Sequence, residues 1–302
     1  MDQHLYVFVT VAEKQNFSRA AEELHMTQPA VSQYIRTLEQ TMGTRLLERS
    51  NKYVRLNKAG EIVYHHAKEI LGLHTKMQGL IDDLTMKAKG PLAIGSSYTF
   101  GEYILPHIIA RLKKQYPLIQ PAITIHNTSE IAELVENHQL DIGIIEGQFK
   151  HSRVDTRKIA EDSMVLVAPP GHPLSEKSEI DIHEVKGETW ILREKGSGTR
   201  EAAENLFYQY GIEPEQVMEF GSTQLIKESV EAGLGISLLS SWTIQKEMKN
   251  GYISMLPVRG LPFKRHFSIL TNSPFQTKAL KTFLELMEDY LEENKKEKNG
   301  NP

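Results

Sequence analysis

Four groups of small hydroxyl residues stand where apparent strands give way to helices. They are Ser96, Ser97 and Thr99; Thr128 and Ser129; Ser197 and Thr199; and Ser222 and Thr223. Their chemistry is binding rather than turnover. A helix start leaves backbone N–H groups unpaired, and ligands on open α/β sheets sit beyond the carboxyl ends of strands. Gly196-Ser197-Gly198-Thr199-Arg200 is the sharpest group, because its glycines let a ligand approach the backbone where a helix begins. It lacks the G-x-x-x-x-G-K-[ST] spacing of a P-loop. Ser and Thr are also ordinary helix caps, so a single member carries little weight. Together the groups predict a pocket for a small anion or carboxylate-bearing metabolite. Its expected residues are Ser96, Ser97, Tyr98, Thr99, Thr128, Glu146, Ser197, Gly198, Thr199 and Thr223. Arg200 either adds charge or pairs with Glu201 or Glu204.

Nothing nominates a reaction. There is no G-x-S-x-G elbow and no H-E-x-x-H, and the 12 histidines are scattered. His65 and His66 are adjacent and are expected to face different ways on a helix. With no cysteine, there is no disulfide framework, thiolate metal site or thiol redox switch. No catalytic residue, metal site or cofactor is expected.

A second constellation lies at Phe17–Gly43, FSRAAEELHMTQPAVSQYIRTLEQTMG. It reads as two short amphipathic helices with a tight connection. Ser18 is expected to cap the first, whose inner face is Ala20, Ala21 and Leu24. Thr27 is expected to cap the second, with Pro29 in its first turn, where a missing N–H costs little. Val31, Ile35, Leu38 and Met42 form one buried stripe. Gln28, Ser32, Gln33 and Arg36 lie opposite, and their amides, hydroxyl and guanidinium suit base edges in a major groove.

This stretch resembles the N-terminal domain of LysR-type transcriptional regulators. The resemblance rests on Phe8, Ala12, Phe17, Ala20, Ala21, Leu24, Gln28, Pro29, Ala30, Ser32, Ile35, Leu38, Glu39 and Gly43. It continues through Leu46, Leu47, Arg49, Leu56, Ala59 and Gly60. REKGSGTRE around Ser197 is similar to the subgroup that regulates carbon fixation and sulfur assimilation. The family implies double-stranded operator DNA, a small-molecule effector and RNA polymerase as partners, and assembly into a homodimer or a dimer of dimers.

The remaining elements must position these groups. Leu5, Phe8, Val9 and Ala12 mark a helix beneath the pair. Arg45–Leu56 reads as a wing of two strands around a polar turn at Ser50–Lys52. There Arg49, Lys52 and Arg55 are expected to lie along phosphates. With Ser18, Thr27, Gln28, Pro29, Ser32, Gln33 and Arg36 they make the expected DNA-binding set. Asn57 is expected to cap a long helix to about Lys87. Val63, Ile70, Met77 and Leu84 recur every seven residues on it, and Leu73 and Leu80 supply the second seam of a two-stranded coiled coil. Lys87–Pro91 reads as a hinge. Beyond it strands and helices alternate, as in an α/β domain with a largely parallel sheet. Strands are expected at Leu92–Gly95, Ala122–His126, Leu140–Ile145, Met164–Ala168 and His266–Leu270, and a helix at about Glu102–Gln115. Glu292–Pro302 is expected to be disordered.

The expected fold is therefore α/β with an all-α winged helix-turn-helix N-terminal domain, residues 1–57. A linker helix and hinge fill 58–90, and an effector-binding domain fills 91–302. The family implies that this last domain has two lobes like type II periplasmic binding proteins. Lobe I would cover about 91–161 and 268–302, and lobe II about 162–267, with the chain crossing near Asp162 and Phe267.

The composition agrees with a two-domain globular chain. It has 302 residues, 40% hydrophobic and 25% charged, with a net charge of −4. Residues 1–89 carry 12 Lys and Arg against 10 Asp and Glu, and the remainder 23 against 29. The positive excess sits where DNA contact is expected, although it is small. No run reaches about 18 apolar residues and no leader pattern is visible, so neither a membrane span nor export is expected and the cytoplasm is. The rival readings are a DNA-binding regulator whose cleft takes no effector, a transport-type solute-binding protein, and an enzyme on a two-lobed α/β domain.

Overall fold

The computed structural model describes residues 2–49, 53–82, 88–147, 154–273 and 275–299. They form two compact units. One holds the chain through Asp82 together with Asn137–Gln139, and the other holds the rest.

The first unit contains α1 (Asp2–Lys14), α2 (Phe17–Glu23), α3 (Gln28–Met42), β1 (Leu47–Arg49), β2 (Val54–Leu56) and α4 (Lys58–Asp82). Leu5, Phe8, Val11, Ala20, Ala21, Val31, Ile35, Leu38 and Leu46 fill its core. Asn16, not Ser18, caps α2. Its Oδ1 accepts the N–H groups of Ser18 and Arg19 at 2.9 and 3.0 Å. Ser18 lies two residues too late, already inside the helix, and is exposed. Thr27 caps α3, accepting the Ala30 N–H at 3.4 Å. Gly43 closes α3 at φ +71°, a conformation that glycine adopts without penalty. The chain turns away there, so Met42 is exposed rather than part of the stripe. Asn57 Oδ1 caps α4, accepting from Gly60 at 2.8 Å. Gly60 must be small, because a Cβ there would fall 2.0 Å from the Leu46 carbonyl oxygen.

The second unit contains β3 (Gly90–Ser96), α5 (Tyr98–Tyr103), α6 (Leu105–Gln115), β4 (Ile119–Ile125), α7 (Thr128–Glu136), β5 (Ile142–Glu146) and β6 (Asp155–Ala168). There follow β7 (Thr189–Arg193), α8 (Gly198–Tyr210), β8 (Gln216–Phe220), α9 (Thr223–Glu231), β9 (Ser237–Ser240), α10 (Gln245–Asn250), β10 (Ser254–Met255), β11 (Phe263–Thr271) and α11 (Lys278–Asn299). The main sheet runs β10-β6-β11-β5-β3-β4, with β9 also on β6, and β7 pairs β8 separately. The sheet is mixed, not largely parallel. β3 pairs β4 and β5 in parallel, but β5–β11, β11–β6 and β6–β9 are antiparallel.

The two largest hydrophobic cores flank this arrangement. Leu92, Ile94, Phe100, Ile144, Phe267, Phe283 and Met287 belong to one, and Met164, Leu166, Trp190, Leu206, Ile236 and Leu238 to the other. Strands β6 and β11 run through both. Ala160 and Phe267 pack on the first core and Met164 and Phe263 on the second. The strands therefore cross between Ala160 and Met164 and between Phe263 and Phe267, where Asp162 faces Arg265 in the ladder. The second crossing lies about two residues before the expected Phe267.

Four further expectations change. Strand β3 begins at Gly90, inside the expected hinge, and Lys87 lies outside the described residues. The helix expected over 102–115 is two helices broken at Ile104, with Pro106 in the first turn of α6, where it lacks an N–H to continue α5. Strand β6 starts at Asp155, well before Met164, because pairing with β11 overrides its polar sequence. Helix α11 continues to Asn299, into the tail expected to be disordered from Glu292, where Glu293 pairs with Arg111 at 2.7 Å.

Asn16→Ala should destabilise the first unit by about 1 kcal/mol, whereas Ser18→Ala should stay within about 0.5 kcal/mol. Both tryptophans, Trp190 and Trp242, lie in the second unit. Denaturation followed by far-ultraviolet circular dichroism should therefore shift for Asn16→Ala, while tryptophan fluorescence should not.

Candidate functional site

Helix α3 buries Val31, Ile35 and Leu38 and turns Gln28, Gln33 and Arg36 to solvent, with Ser32 half-buried. Gln28 Nε2 donates to Ser32 Oγ at 2.9 Å, which fixes one amide. Gln33 reaches Thr37 only at 3.5 Å. Pro29 is exposed in the first turn. The face is polar, convex and one helix wide, the shape that enters a major groove.

The wing arginines are more constrained. Arg49 donates to Glu39 Oε2 at 2.9 Å and stacks on Phe17, 4.9 Å from the ring centre. Glu39 Oε1 also accepts the Leu46 and Leu47 N–H groups, at 2.9 and 3.3 Å. Arg49 thus braces the wing against α3 while its side chain stays 38% exposed. Arg55 pairs with Glu48 at 3.1 Å and lies over Tyr53, yet stays largely exposed. Lys52 lies outside the described residues.

In the second unit the two crossing strands meet at a buried ion cluster. Arg265 Nε donates to Asp162 Oδ2 at 2.7 Å, and its Nη1 donates to Glu146 Oε2 at 3.3 Å and Thr199 Oγ1 at 3.1 Å. Nη2 donates to Thr99 Oγ1 at 3.2 Å. Glu146 Oε1 accepts the Thr99 N–H at 2.7 Å, and Asp162 Oδ1 accepts from Ser240 Oγ at 2.7 Å. Burial works against the Glu146 carboxylate, but the Arg265 guanidinium and the donors of Thr99 and Ser97 hold it below the ordinary carboxylate range. Burial also opposes the Arg265 charge, and Glu146 and Asp162 outweigh it to raise the pKa.

The hydroxyl residues gather at this cluster and are largely engaged by the protein itself. Thr128 Oγ1 and Ser97 Oγ donate to the Glu146 and Ile144 carbonyls, both at 3.3 Å, and Ser96 Oγ donates to the Ser97 carbonyl. Ser197 caps α8, accepting from the Thr199 N–H at 3.2 Å. Gly198 presses on the end of β5, where a Cβ would lie 2.4 Å from the Glu146 carbonyl oxygen. Thr223 Oγ1 accepts from Arg193 at 3.2 Å, and Arg193 lies over the Tyr98 ring at 4.3 Å. Arg200 pairs with Glu204 and Glu219, at 2.7 and 3.1 Å. Beside the starts of α7 and α8 an open groove is lined by Thr128, Ser129, Lys195, Ser197, Arg200 and Glu201.

Sequence reasoning missed Arg265 and Arg193 and saw Asp162 only as a crossing point. The signal was present, since Arg193 ends the apolar run WIL and Asp162 precedes SMVLVA. His65 and His66, expected to diverge, both reach Glu69, at 3.6 and 2.7 Å. These three could hold a metal ion, but the rings are exposed and the contacts are those of an ordinary helical ion pair.

Arg265→Ala would leave two buried carboxylates without their counter-charge and should cost about 3–5 kcal/mol in chemical denaturation. Glu146 has a depressed folded pKa, so its stabilisation is complete above the unfolded value of about 4.3 and is lost as pH falls through the folded value. Glu146→Gln should therefore flatten the fall in stability that sets in below about pH 4.3.

Residues 3–61 match the model of bacterial regulatory helix-turn-helix proteins of the lysR family, and residues 87–292 match the LysR substrate binding domain. The chain is 37% identical over 285 residues to the HTH-type transcriptional regulator CysL of Bacillus subtilis, covering 94% of this chain and 95% of that one. It is 35% identical over 294 residues to the regulator CfxR of Cupriavidus necator, covering 96% and 92%. The regulatory domain of Synechocystis CcmR, solved in complex with 2-PG, superposes with a TM-score of 0.62 at 28% identity, covering 67% of this chain and 97% of that one. On these matches the chain belongs to the LysR family: it is a transcriptional regulator with an N-terminal helix-turn-helix domain and a C-terminal effector-binding domain.

Proposed function

We propose that this regulator binds a roughly two-fold symmetric operator as a homodimer. A small anionic metabolite between the lobes of its C-terminal domain then changes how the DNA-binding pair is set. The observation that carries the DNA side is the exposed face of α3, with Gln28, Gln33 and Arg36 opposite a fully buried stripe. The effector side is supported by the hydroxyls and cations beside α7 and α8, and by the small molecule bound to the CcmR regulatory domain. The protein acts without catalysing a reaction, in the cytoplasm, with RNA polymerase as a further partner. Among the described residues no helix is long and apolar enough to cross a membrane.

The dimer reading rests on α4. Ile70, Leu73 and Met77 are exposed at 45%, 45% and 51%, with Ile81 beside them. Solvent is a costly environment for such a stripe, and a second copy of the helix would cover it. Val63 instead packs against the domain's own core, so the seam begins later than the heptad count gives. Leu80 is half-buried, and Leu84 lies outside the described residues. Further apolar side chains, Ile123 on β4 and Val217 on β8, are exposed on strands that end their sheets and suit assembly beyond a dimer.

Gln33→Ala and Arg36→Ala should each cost about 1–3 kcal/mol in operator affinity and leave non-specific binding nearly unchanged. Operator binding equal to wild type in both variants would remove α3 as the reading helix. Ile70→Asp with Met77→Asp should split the dimer in sedimentation and weaken operator binding, because the half-sites lose their linkage. An unchanged sedimentation coefficient would move the interface elsewhere.

A further inference from the structure

Two guanidinium groups are buried between the lobes, and their partners differ in kind. Arg265 is held by Asp162 and Glu146, which are distant in sequence and each 1% exposed. Neither carboxylate can leave without solvating a buried charge or parting the crossing strands. Arg193 is only 1% exposed itself, but its carboxylate partner is the next residue. Its Nε and Nη2 both donate to Glu194, to Oε2 and Oε1, each at 2.7 Å. Its Nη1 donates to Thr223 Oγ1 at 3.2 Å.

Glu194 is the first residue beyond β7, and its side chain folds onto its neighbour's fork. Its side chain is 25% exposed, so rotation about its own bonds alone carries the carboxylate into water. The guanidinium would then present two parallel N–H groups, the geometry that matches a carboxylate or phosphate. It is also placed to report closure. Arg193 comes from β7, against the second core, and lies over Tyr98 of α5, whose neighbour Phe100 lies in the first.

We propose that Arg193 receives the acidic group of the effector and that Glu194 is a resident carboxylate which that group displaces. This rests on the reading that the interlobe cleft holds the effector. It names the ligand class, a small molecule with a carboxylate or phosphate able to take a planar two-point fork. It also separates the two arginines: Arg265 builds the cleft and Arg193 reads what enters it. The anionic group is thus received at Arg193 and Thr223, since the Thr99 N–H and Thr199 hydroxyl already serve Glu146.

The test uses the full chain, with inorganic phosphate and 2-PG as probes in titration calorimetry. Glu194→Gln keeps the side-chain shape but removes the competing charge. It should bind at least one probe about tenfold more tightly than wild type. Arg193→Lys keeps the charge but loses the fork, and should bind about tenfold more weakly or not at all. Unliganded melting curves show whether either variant is folded, and Glu194→Gln carries the test if Arg193→Lys is not. Absence of probe binding to folded Glu194→Gln, or equal binding to wild type and Glu194→Gln, overturns the proposal. If some other metabolite then binds wild type and is weakened by Thr199→Val, the cleft reading survives without Arg193. If none of a panel of metabolites alters operator binding, that reading falls too.

Discussion

The contact between Arg265 and its two carboxylates governs the C-terminal domain. Two long strands run through both of its larger hydrophobic cores, and at the point of crossing the ladder places Asp162 opposite Arg265. Three charged groups occupy that point where apolar side chains would otherwise fuse the cores into one. Such a cluster survives burial only when nearly every lone pair and proton is satisfied. Here the Thr99 N–H, the Ser240 hydroxyl and the Thr99 and Thr199 hydroxyls complete it. These groups come from α5, from the end of β9 and from the start of α8, so satisfying one ion cluster ties three elements together. The close approach at Gly198 follows from the same demand, because α8 must begin against the Glu146 backbone for Thr199 to reach the side chain.

A carboxylate plays the corresponding part in the DNA-binding domain. Glu39 stands late on α3 and holds the first residues of the wing by two backbone N–H groups and Arg49. The wing is only three residues on each strand and cannot define its own position. Tied to Glu39, it inherits the position of α3. Arg49 makes the ion pair that ties it there, whereas Arg36, three residues before Glu39 on the same helix, faces solvent. In both domains one carboxylate organises backbone and guanidinium groups.

Much of the frame was legible because it depends on local order. Apolar spacing located α1, α2, α3 and α4, and Thr27 and Asn57 cap where their types and positions implied. Asn16 and Ser18 are both good caps. The choice between them turned on where Phe17 enters the helix, which packing decides. Strand β6 escaped notice over Asp155–Glu161 because DTRKIAE has no apolar alternation and forms only by pairing with β11, about a hundred residues later. The same distance hid the cleft's centre. Glu146 and Arg265 lie 119 residues apart, and no spacing rule connects them. The hydroxyl clusters were visible, but whether they faced a ligand or the protein's own carboxylate was not.

That last distinction changes how the cleft works. A site lined with free donors would bind an anion by adding contacts, and its unliganded state would carry unsatisfied groups in a buried space. The described residues instead show the donors already engaged, with Glu146 seated on the Thr99 N–H and Glu194 on the Arg193 fork. Unliganded stability is then secured by internal carboxylates, and an anion gains only the difference between its contacts and those it replaces. Such exchange favours ligands whose acid fits better than a glutamate held by its own short chain. It also confines exchange to the carboxylate with a path to water. Glu146 has none and Glu194 has one, so one carboxylate serves the fold while the other leaves a place where the fold can be questioned by a ligand.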